Sequence, residues 1–264
     1  MGRTSRLIGA TATLLAFVGA SCGSDSGSAS TEGPTTVPAV SGDIVVFAAS
    51  SLTEAFTQIG AAFEVENPDA NVTFNFAGSG DLVTQIGQGA PADVFASADD
   101  SNMTKLSDAG ESAGEPVSIA RNTMEIIVEK GNPKAITGVA DLAKSGLIVV
   151  LCADTVPCGK SAAAVLKNAG VTAAPKSLED KVKGVVTKVA AGEADAGIVY
   201  VSDVDAAGDA AEGVEIPSDI NVINNYPMVV TKEATNTAGA RAFIDFVASD
   251  AGQAILATYG FLAP

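Results

Sequence analysis

The sequence lacks histidine and tryptophan altogether, and only three of its 264 residues are tyrosine. Without an imidazole, the chain cannot form a Ser-His-Asp or Cys-His catalytic centre, nor a metal site built on histidine. The one remaining hint of hydrolytic chemistry is Lys160 beside Ser161, and no Ser-x-x-Lys spacing occurs at the motifs described below. We therefore expect that the protein is not an enzyme, with an exported serine hydrolase as a remote alternative.

Basic residues are scarce as well, with 15 lysines and arginines against 31 acidic residues and a net charge of -16. Nucleic acid is a poor partner for such a chain, because a phosphate backbone requires clustered basic side chains. The same balance excludes anion binding through bulk charge. Any anion site in this protein must depend on local dipoles.

The only markedly apolar stretch lies near the N-terminus. Arg3 and Arg6 precede residues 7–21, which are apolar or small, too few to span a bilayer, and followed by Cys22. This pattern resembles a bacterial lipobox, and it predicts a lipoprotein signal peptide over residues 1–21 that is cleaved before a lipidated Cys22. An ordinary signal peptide with an incidental cysteine is the alternative.

The segment after Cys22 has almost no large apolar side chains. Residues 23–42 are rich in serine, glycine, threonine and proline and cannot form a core. We expect residues 22–42 to be the lipidated cysteine and a flexible tether. The protein would then be extracytoplasmic and anchored to the cell membrane.

Two further cysteines, Cys152 and Cys158, lie six residues apart beside a predicted turn. Disulfides persist outside the cytoplasm, so a bond between them is possible. The spacing alone does not establish the geometry, and the redox state of the pair stays open.

The remaining chain alternates short apolar runs with amphipathic helical patterns and shows no evident internal repeat. The alternation predicts an α/β fold with mainly parallel sheets covered by helices. Strands are predicted over 44–48, 72–76, 93–96, 124–129, 147–151, 198–201 and 226–231. Helices are predicted over 53–66, 81–87, 161–168, 181–191, 238–247 and 252–259.

Three strand-to-helix junctions, at residues 49–53, 78–82 and 155–161, are rich in small and hydroxyl residues. A helix N-terminus leaves backbone N–H groups without partners and has a partial positive charge. Each junction alone is most simply an N-cap. Several such ends directed into one cleft would hold an oxyanion with neutral groups only.

The same motifs carry a family resemblance. Residues 46–56, 76–82 and 89–99, with 197–200, 226–227 and 259–261, strongly resemble the periplasmic molybdate-binding protein family. The resemblance extends from Asp43 to the C-terminus. It implies a two-lobed type II periplasmic-binding fold with the ligand in the cleft. Lobe I would comprise residues 43–121 and 226–264, and lobe II residues 122–225, with crossings near residues 120–123 and 224–227.

The resemblance also implies the binding residues and the function. Molybdate would be held by Ser51, Ser79, Cys158, Val182 and Tyr200, with no separate cofactor and with the metal bound only as the oxyanion. Cys158 and Val182 would donate backbone N–H groups, so the alanine that the family commonly has in place of Cys158 would do the same. Ser50 could share the first of these sites. The function implied is capture of molybdate or tungstate for an ABC importer by a monomeric solute-binding lipoprotein.

Several alternatives stay open at this point. A sulfate or thiosulfate-type protein would share the fold, and the sequence does not choose between molybdate and tungstate or identify the permease. A ferric-binding protein is disfavoured because it would require clustered tyrosines, and only Tyr200, Tyr226 and Tyr259 exist. A surface adhesin or regulatory module would not respond to one small anion. Phosphate, which usually has a proton at neutral pH, would require an acceptor that the implied site does not offer.

Overall fold

The structure is a computed structural model that describes residues 40–264. The predicted signal peptide, Cys22 and nearly all of the predicted tether lie outside the described residues. Within the described part, no helix is both long and apolar enough to cross a membrane.

The described residues form a nine-stranded sheet with helices on its faces. The strands are β1 (Ser41–Ala49), β2 (Asp69–Ala77), β3 (Val94–Ala96), β4 (Val117–Glu129), β5 (Val149–Cys152), β6 (Ser177–Glu179), β7 (Ala196–Tyr200), β8 (Ala211–Glu215) and β9 (Ile223–Val230). The α-helices are α1 (Thr53–Glu66), α2 (Ser79–Gly87), α3 (Asp100–Asp108), α4 (Pro157–Asn168), α5 (Val182–Ala190), α6 (Val201–Ala207), α7 (Thr237–Ala248) and α8 (Asp250–Thr258). Short 3-10 turns cover Ser50–Leu52, Val139–Ala143 and Gly208–Ala210.

The sheet consists of two halves that share one long strand. The first half has the order β2-β1-β3-β9, and the second has the order β7-β5-β6, with β8 beside β4. Up to Thr123, β4 pairs with β9, and from Met124 it pairs with β7 and β8. The chain therefore passes between the halves along β4 and returns along β9, near the expected crossings.

Each half contains the same three-strand arrangement. In the first half, β1 lies between β2 and β3, and all three are parallel. In the second half, β5 lies between β6 and β7, again in parallel. The helices that follow β1 and β2 (α1 and α2) correspond to those that follow β5 and β6 (α4 and α5). The topology is thus repeated, although the sequence shows no repeat.

Buried carboxylates fix equivalent strands in both halves. Asp93, just before β3, accepts the amide of Val45 at 2.8 Å and also the amides of Thr235 and Asn236. Asp195, just before β7, accepts the amide of Ile148 at 2.6 Å. Each carboxylate thus ties the start of its strand to the backbone of a neighbouring segment of the chain.

Hydrophobic periodicity explains most of the elements. Along α1, Phe56, Ile59 and Phe63 are buried on one face, as expected from their spacing. Phe56 and Phe63 contact Phe243 of α7 edge-on, with ring centroids 6.1 and 5.4 Å apart. The predicted α/β class and the mainly parallel arrangement are confirmed, with β9 and β4 as antiparallel members.

The main differences from the sequence predictions are at element ends and in short elements. β1 begins at Ser41 rather than at residue 44, α2 begins at Ser79 and α4 begins at Pro157. The strand predicted to reach residue 201 ends at Tyr200, because Val201 begins α6. The helices α3 and α6 and the strands β6 and β8 were not predicted. The two strands are short and largely exposed, so they have no apolar run to reveal them.

Candidate functional site

A small cavity lies where the carboxyl ends of β1, β2, β5 and β7 meet the starts of the following helices. The space open to the centre of a water-sized sphere is about 10 Å³, roughly the room that one water molecule needs. The residues that line it come from both halves of the sheet: Ala49, Ser50, Ser51, Ala77, Gly78, Ser79, Ala98, Val156, Pro157, Cys158, Lys181, Val182 and Tyr200. A cavity of this size suits a ligand of only a few atoms.

Equivalent helix starts from the two halves face this cavity. The 3-10 turn that leads into α1, together with α2, supplies Ser51 and Ser79 from the first half. From the second half, α4 supplies Cys158 and α5 supplies Val182. The topological repeat therefore brings four helix N-termini together, and their dipoles contribute a positive potential to the cavity.

These four N-termini differ from the other long helices in how they are capped. In α3, α7 and α8, the side chains of Asp99, Asn236 and Ser249 accept a backbone N–H of the first turn. At the four helix starts around the cavity, no side chain caps the helix. Because the first amides of a helix have no intrahelical partner, those at the cavity remain available to a ligand.

The two serine hydroxyls are held from behind by other groups of the first half. The Oγ of Ser79, which is 1% exposed, accepts the backbone N–H of Ala98 at 3.2 Å. The Oγ of Ser51, which is 3% exposed, lies 3.1 Å from the hydroxyl of Tyr226. Each serine hydroxyl has one hydrogen bond to the protein and can still form another with a ligand in the cavity.

Tyr200 contributes a buried donor without a partner. Its hydroxyl is a buried side-chain polar atom that has no hydrogen-bond partner among residues 40–264. Burial raises the pKa of Tyr200 well above its usual value, so the phenol stays protonated and can only be stabilised by an acceptor. An unsatisfied donor in a cavity of neutral donors predicts a ligand rich in acceptor oxygens.

The start of α4 is fixed covalently. Cys152, at the end of β5, forms a disulfide with Cys158 in the first turn of α4, and both residues are buried. Between them the chain turns so tightly that a Cβ on Gly159 would lie 1.8 Å from the carbonyl oxygen of Ala153. The bridge and the glycine together position the amide of Cys158 at the cavity.

Lys181 is the one charged residue in the cavity lining, and the other nearby charges lie around the cavity. Lys183, in the first turn of α5, lies 2.7 Å from Glu54 of α1 and 3.1 Å from Oδ1 of Asp203. Burial raises the pKa of Asp203 to about 6, against the lowering influence of Lys183. Lys160 of α4, which also belongs to the second half, lies 2.9 Å from Asp99 of the first half. Within the described residues, no group of three or more acidic or cysteine side chains could hold a metal ion.

The Ser-Lys hint from the sequence finds no support in the geometry. Ser161 donates its hydroxyl to the side-chain oxygen of Asn224 at 2.5 Å. Lys160 donates to Asp99 and to Ser101 instead of approaching Ser161. Because the Lys160 amine is directed at Asp99 and Ser101, it is not placed to take the proton of the Ser161 hydroxyl.

All five residues implied by the resemblance, and Ser50 as well, line the same cavity. Sequence reasoning missed Tyr226, whose hydroxyl contacts Ser51, and Lys183, which joins the halves beside Val182. It also missed the reason for Gly78, where a Cβ would lie 2.7 Å from the carbonyl oxygen of Asp180 in the other half. These roles depend on contacts between segments that are distant in the sequence, so no local sequence pattern predicts them.

Comparison with known proteins identifies the family of this chain. Residues 44–262 match the family described as bacterial extracellular solute-binding protein. The chain is 46% identical over 243 residues to the molybdate-binding protein ModA of Mycobacterium tuberculosis, covering 92% of each chain. It is 32% identical over 231 residues to ModA of Escherichia coli, covering 83% of this chain and 89% of the relative.

The fold also matches a solved structure. The periplasmic molybdate-binding protein of Azotobacter vinelandii superposes with a TM-score of 0.72 at 22% identity, covering 84% of this chain and 99% of the other. This likeness confirms the two-lobed type II periplasmic-binding fold that the resemblance implied.

Proposed function

Because this chain belongs to the bacterial extracellular solute-binding proteins, we propose that it captures molybdate or tungstate outside the cytoplasm and delivers the anion to an ABC importer. The observation that carries the proposal is the cavity itself, where neutral donors from both halves converge and the hydroxyl of Tyr200 has no partner. The two relatives named above as molybdate-binding proteins support the choice of anion.

The proposed ligand set consists of donors only. The hydroxyls of Ser51, Ser79 and Tyr200 and the backbone amides of Cys158 and Val182 would bind the oxygens of one tetrahedral anion, and no separate cofactor is needed. A fully deprotonated oxyanion only accepts hydrogen bonds, so it satisfies these groups together. Hydrogen phosphate has a proton of its own, and the cavity offers that proton no evident acceptor.

Sulfate is the closest rival anion. It is smaller than molybdate, so it would leave some of the buried donors poorly paired, which costs about 1–3 kcal/mol for each unsatisfied group. Molybdate and tungstate are nearly equal in size, and hydrogen-bonding groups alone would not separate them. We therefore propose selection by cavity size among anions that have no proton.

Capture would take place by closure of the two lobes, residues 43–121 with 226–264 and residues 122–225. Ser51 and Ser79 belong to the first lobe, and Cys158, Val182 and Tyr200 to the second, so an anion held between them would stabilise the closed form. The permease would then recognise that form. Binding and closure require no covalent chemistry, and we propose a monomeric protein without catalytic activity.

The N-terminal features complete the proposal. Cleavage after the signal peptide of residues 1–21 would leave Cys22 for lipidation and residues 23–42 as a tether. A tether of this composition would let the folded part reach the permease while it stays at the membrane.

The test is calorimetric titration of residues 43–264 with molybdate, tungstate, sulfate and phosphate. We expect tight one-to-one binding of the first two anions, and a loss of about 10- to 100-fold in affinity for Ser79→Ala, because a hydrogen bond to a charged ligand is removed. Ser145→Ala is the matched control, since Ser145 is exposed and is not part of the cavity lining.

A folded sample that binds neither molybdate nor tungstate would refute the proposed function. A preference for sulfate would retain the fold and change the substrate. Equal affinity in wild type and Ser79→Ala, with tight binding in both, would remove Ser79 from the site.

A further inference from the structure

Tyr226 of β9 lies behind the cavity rather than in its lining. Its side chain is fully buried, and its ring is fixed by edge-on contacts with Tyr200 and Phe261, with ring centroids 5.8 and 5.3 Å apart. The packing of the ring therefore fixes the position of the phenolic oxygen, which lies 3.1 Å from the Oγ of Ser51.

The direction of this hydrogen bond follows from counting donors and acceptors. Among residues 40–264, Ser51 is the only group within hydrogen-bond distance of the Tyr226 hydroxyl; the Tyr200 hydroxyl lies near it but makes no hydrogen bond of that length. The amide of Asn122 also lies near Tyr226: it donates to Ser202 at 2.7 Å and accepts the N–H of Thr123 at 2.9 Å, and its second N–H can only donate to the Tyr226 oxygen. If Tyr226 did not donate to Ser51, its hydroxyl hydrogen would be buried without a partner.

The hydrogen of Ser51 is then left for the cavity. With the Tyr226 hydroxyl as donor, the Oγ of Ser51 uses one lone pair as acceptor, and its own O–H has no protein acceptor among the described residues. Ser79 is arranged in the same way, because its Oγ accepts the N–H of Ala98. Each serine oxygen thus accepts a hydrogen bond from another group of the protein, and each serine O–H remains free to donate to a ligand in the cavity.

We propose that Tyr226 is a positioning residue that fixes Ser51 as a hydrogen-bond donor and so favours oxyanions without a proton over those that have one. The proposal rests on the proposed function, because it assumes that Ser51 contacts the anion. Tyr226 itself does not touch the ligand. Without its hydroxyl, Ser51 could rotate and present either its hydrogen or a lone pair to the cavity.

The test is a double-mutant cycle on molybdate affinity. We expect Tyr226→Phe to weaken molybdate binding about fivefold in the wild-type background and to have almost no further effect in Ser51→Ala. Tyr259→Phe is the matched control, because the Tyr259 hydroxyl contacts only Gln58 at the surface. Phenylalanine keeps the ring contacts, and thermal unfolding of the same samples verifies that each variant is folded.

The cycle separates the possible outcomes. Equal losses from Tyr226→Phe in both backgrounds would show a merely structural effect and overturn the proposal. Coupling of Tyr226→Phe to Tyr200→Phe rather than to Ser51→Ala would also overturn it. Wild-type protein that binds no molybdate or tungstate would refute the proposed function and this inference together, whereas tight wild-type binding with an unchanged Tyr226→Phe variant would refute the inference alone.

A second readout addresses selectivity. The ratio of the phosphate Kd to the molybdate Kd at pH 7 should fall about fivefold in Tyr226→Phe, since the freed Ser51 hydroxyl can then accept the proton of hydrogen phosphate. An unchanged ratio would overturn the selectivity part of the proposal.

Discussion

At the scale of single residues, Glu125 is the most perturbed carboxylate away from the cavity. It lies on β4 directly opposite Glu215 of β8, and Asp205 of α6 adds a third negative charge. Partial burial, followed by these two charges, raises the pKa of Glu125 to about 7. Like charges opposite each other on neighbouring strands are unfavourable, so this pair of carboxylates lowers the stability of the fold.

This arrangement predicts a pH-dependent stability. The folded pKa of Glu125 lies above its ordinary value, so the folded state binds the proton more tightly, and stability falls as the pH rises from about 4.5 through about 7. After allowance for solvent screening, Glu125→Gln should raise the free energy of unfolding by about 1 kcal/mol at pH 8, or about 2–4 °C in Tm, with no gain at pH 4. Thermal unfolding at the two pH values measures this.

Glu129→Gln is the matched control for that experiment. Glu129 lies on the same strand, but its cross-strand partner is Ala211 rather than an acidic residue. A similar gain in both variants at pH 8 would mean that the overall negative charge, and not the local cluster, determines the effect.

At the scale of elements, the start of α4 depends on a covalent bridge between β5 and the helix. The Cys152–Cys158 disulfide closes a loop of six residues that contains the approach to the cavity. Loop-closure entropy for so short a loop is about 2 kcal/mol. The bridge therefore stabilises the fold and holds the amide of Cys158 where the proposed ligand needs it.

The double variant Cys152→Ala/Cys158→Ala should lose about 2 kcal/mol of stability, measured by urea unfolding. Its molybdate affinity should fall as well, because the backbone donor at residue 158 loses its fixed position. Treatment of wild type with a dithiol reductant should reproduce both losses and leave the double variant unchanged. Full affinity in the double variant would show that Gly159 and the surrounding packing suffice to hold the loop.

At the scale of the whole molecule, ion pairs join the two halves of the sheet around the cavity. Lys183 of α5 pairs with Glu54 of α1, and Lys160 of α4 pairs with Asp99 before α3. A lysine in the first turn of a helix is unfavourable for the dipole, and the two carboxylates beside Lys183 offset this. Lys183 is therefore stabilised at this position by carboxylates from both halves, Glu54 and Asp203.

Removal of this cation predicts a second pH effect. In Lys183→Met, the fully buried Asp203 loses its partner, so its pKa should rise above the present value of about 6. We expect a loss of about 2 kcal/mol at pH 8 and a smaller loss at pH 5, because protonated Asp203 has no charge to compensate. Thermal unfolding at both pH values checks this. Glu54→Gln is the control, since it leaves the Lys183–Asp203 pair intact and a half-exposed pair contributes about 0–1 kcal/mol.

Much of this molecule could be predicted from local sequence. The spacing of Phe56, Ile59 and Phe63 determines the buried face of α1, and continuous apolar runs identify β1 and β5. These predictions are confirmed because the pattern of apolar residues that marks a helix or a buried strand involves only neighbouring residues. The motifs with Ser51, Ser79 and Cys158 also lie at strand-to-helix junctions, as the sequence predicts.

By itself, the sequence determined the α/β alternation, the absence of imidazole chemistry and the supply of neutral donors at helix starts. The tertiary structure alone decided that four of those starts converge, that Tyr226 lies behind Ser51, that Lys183 joins the halves, and that the two halves repeat one topology. The physical reason is separation along the chain. Residues 51 and 226, or 54 and 183, meet only after strands more than a hundred residues apart have paired, and no local periodicity encodes which distant groups will come into contact.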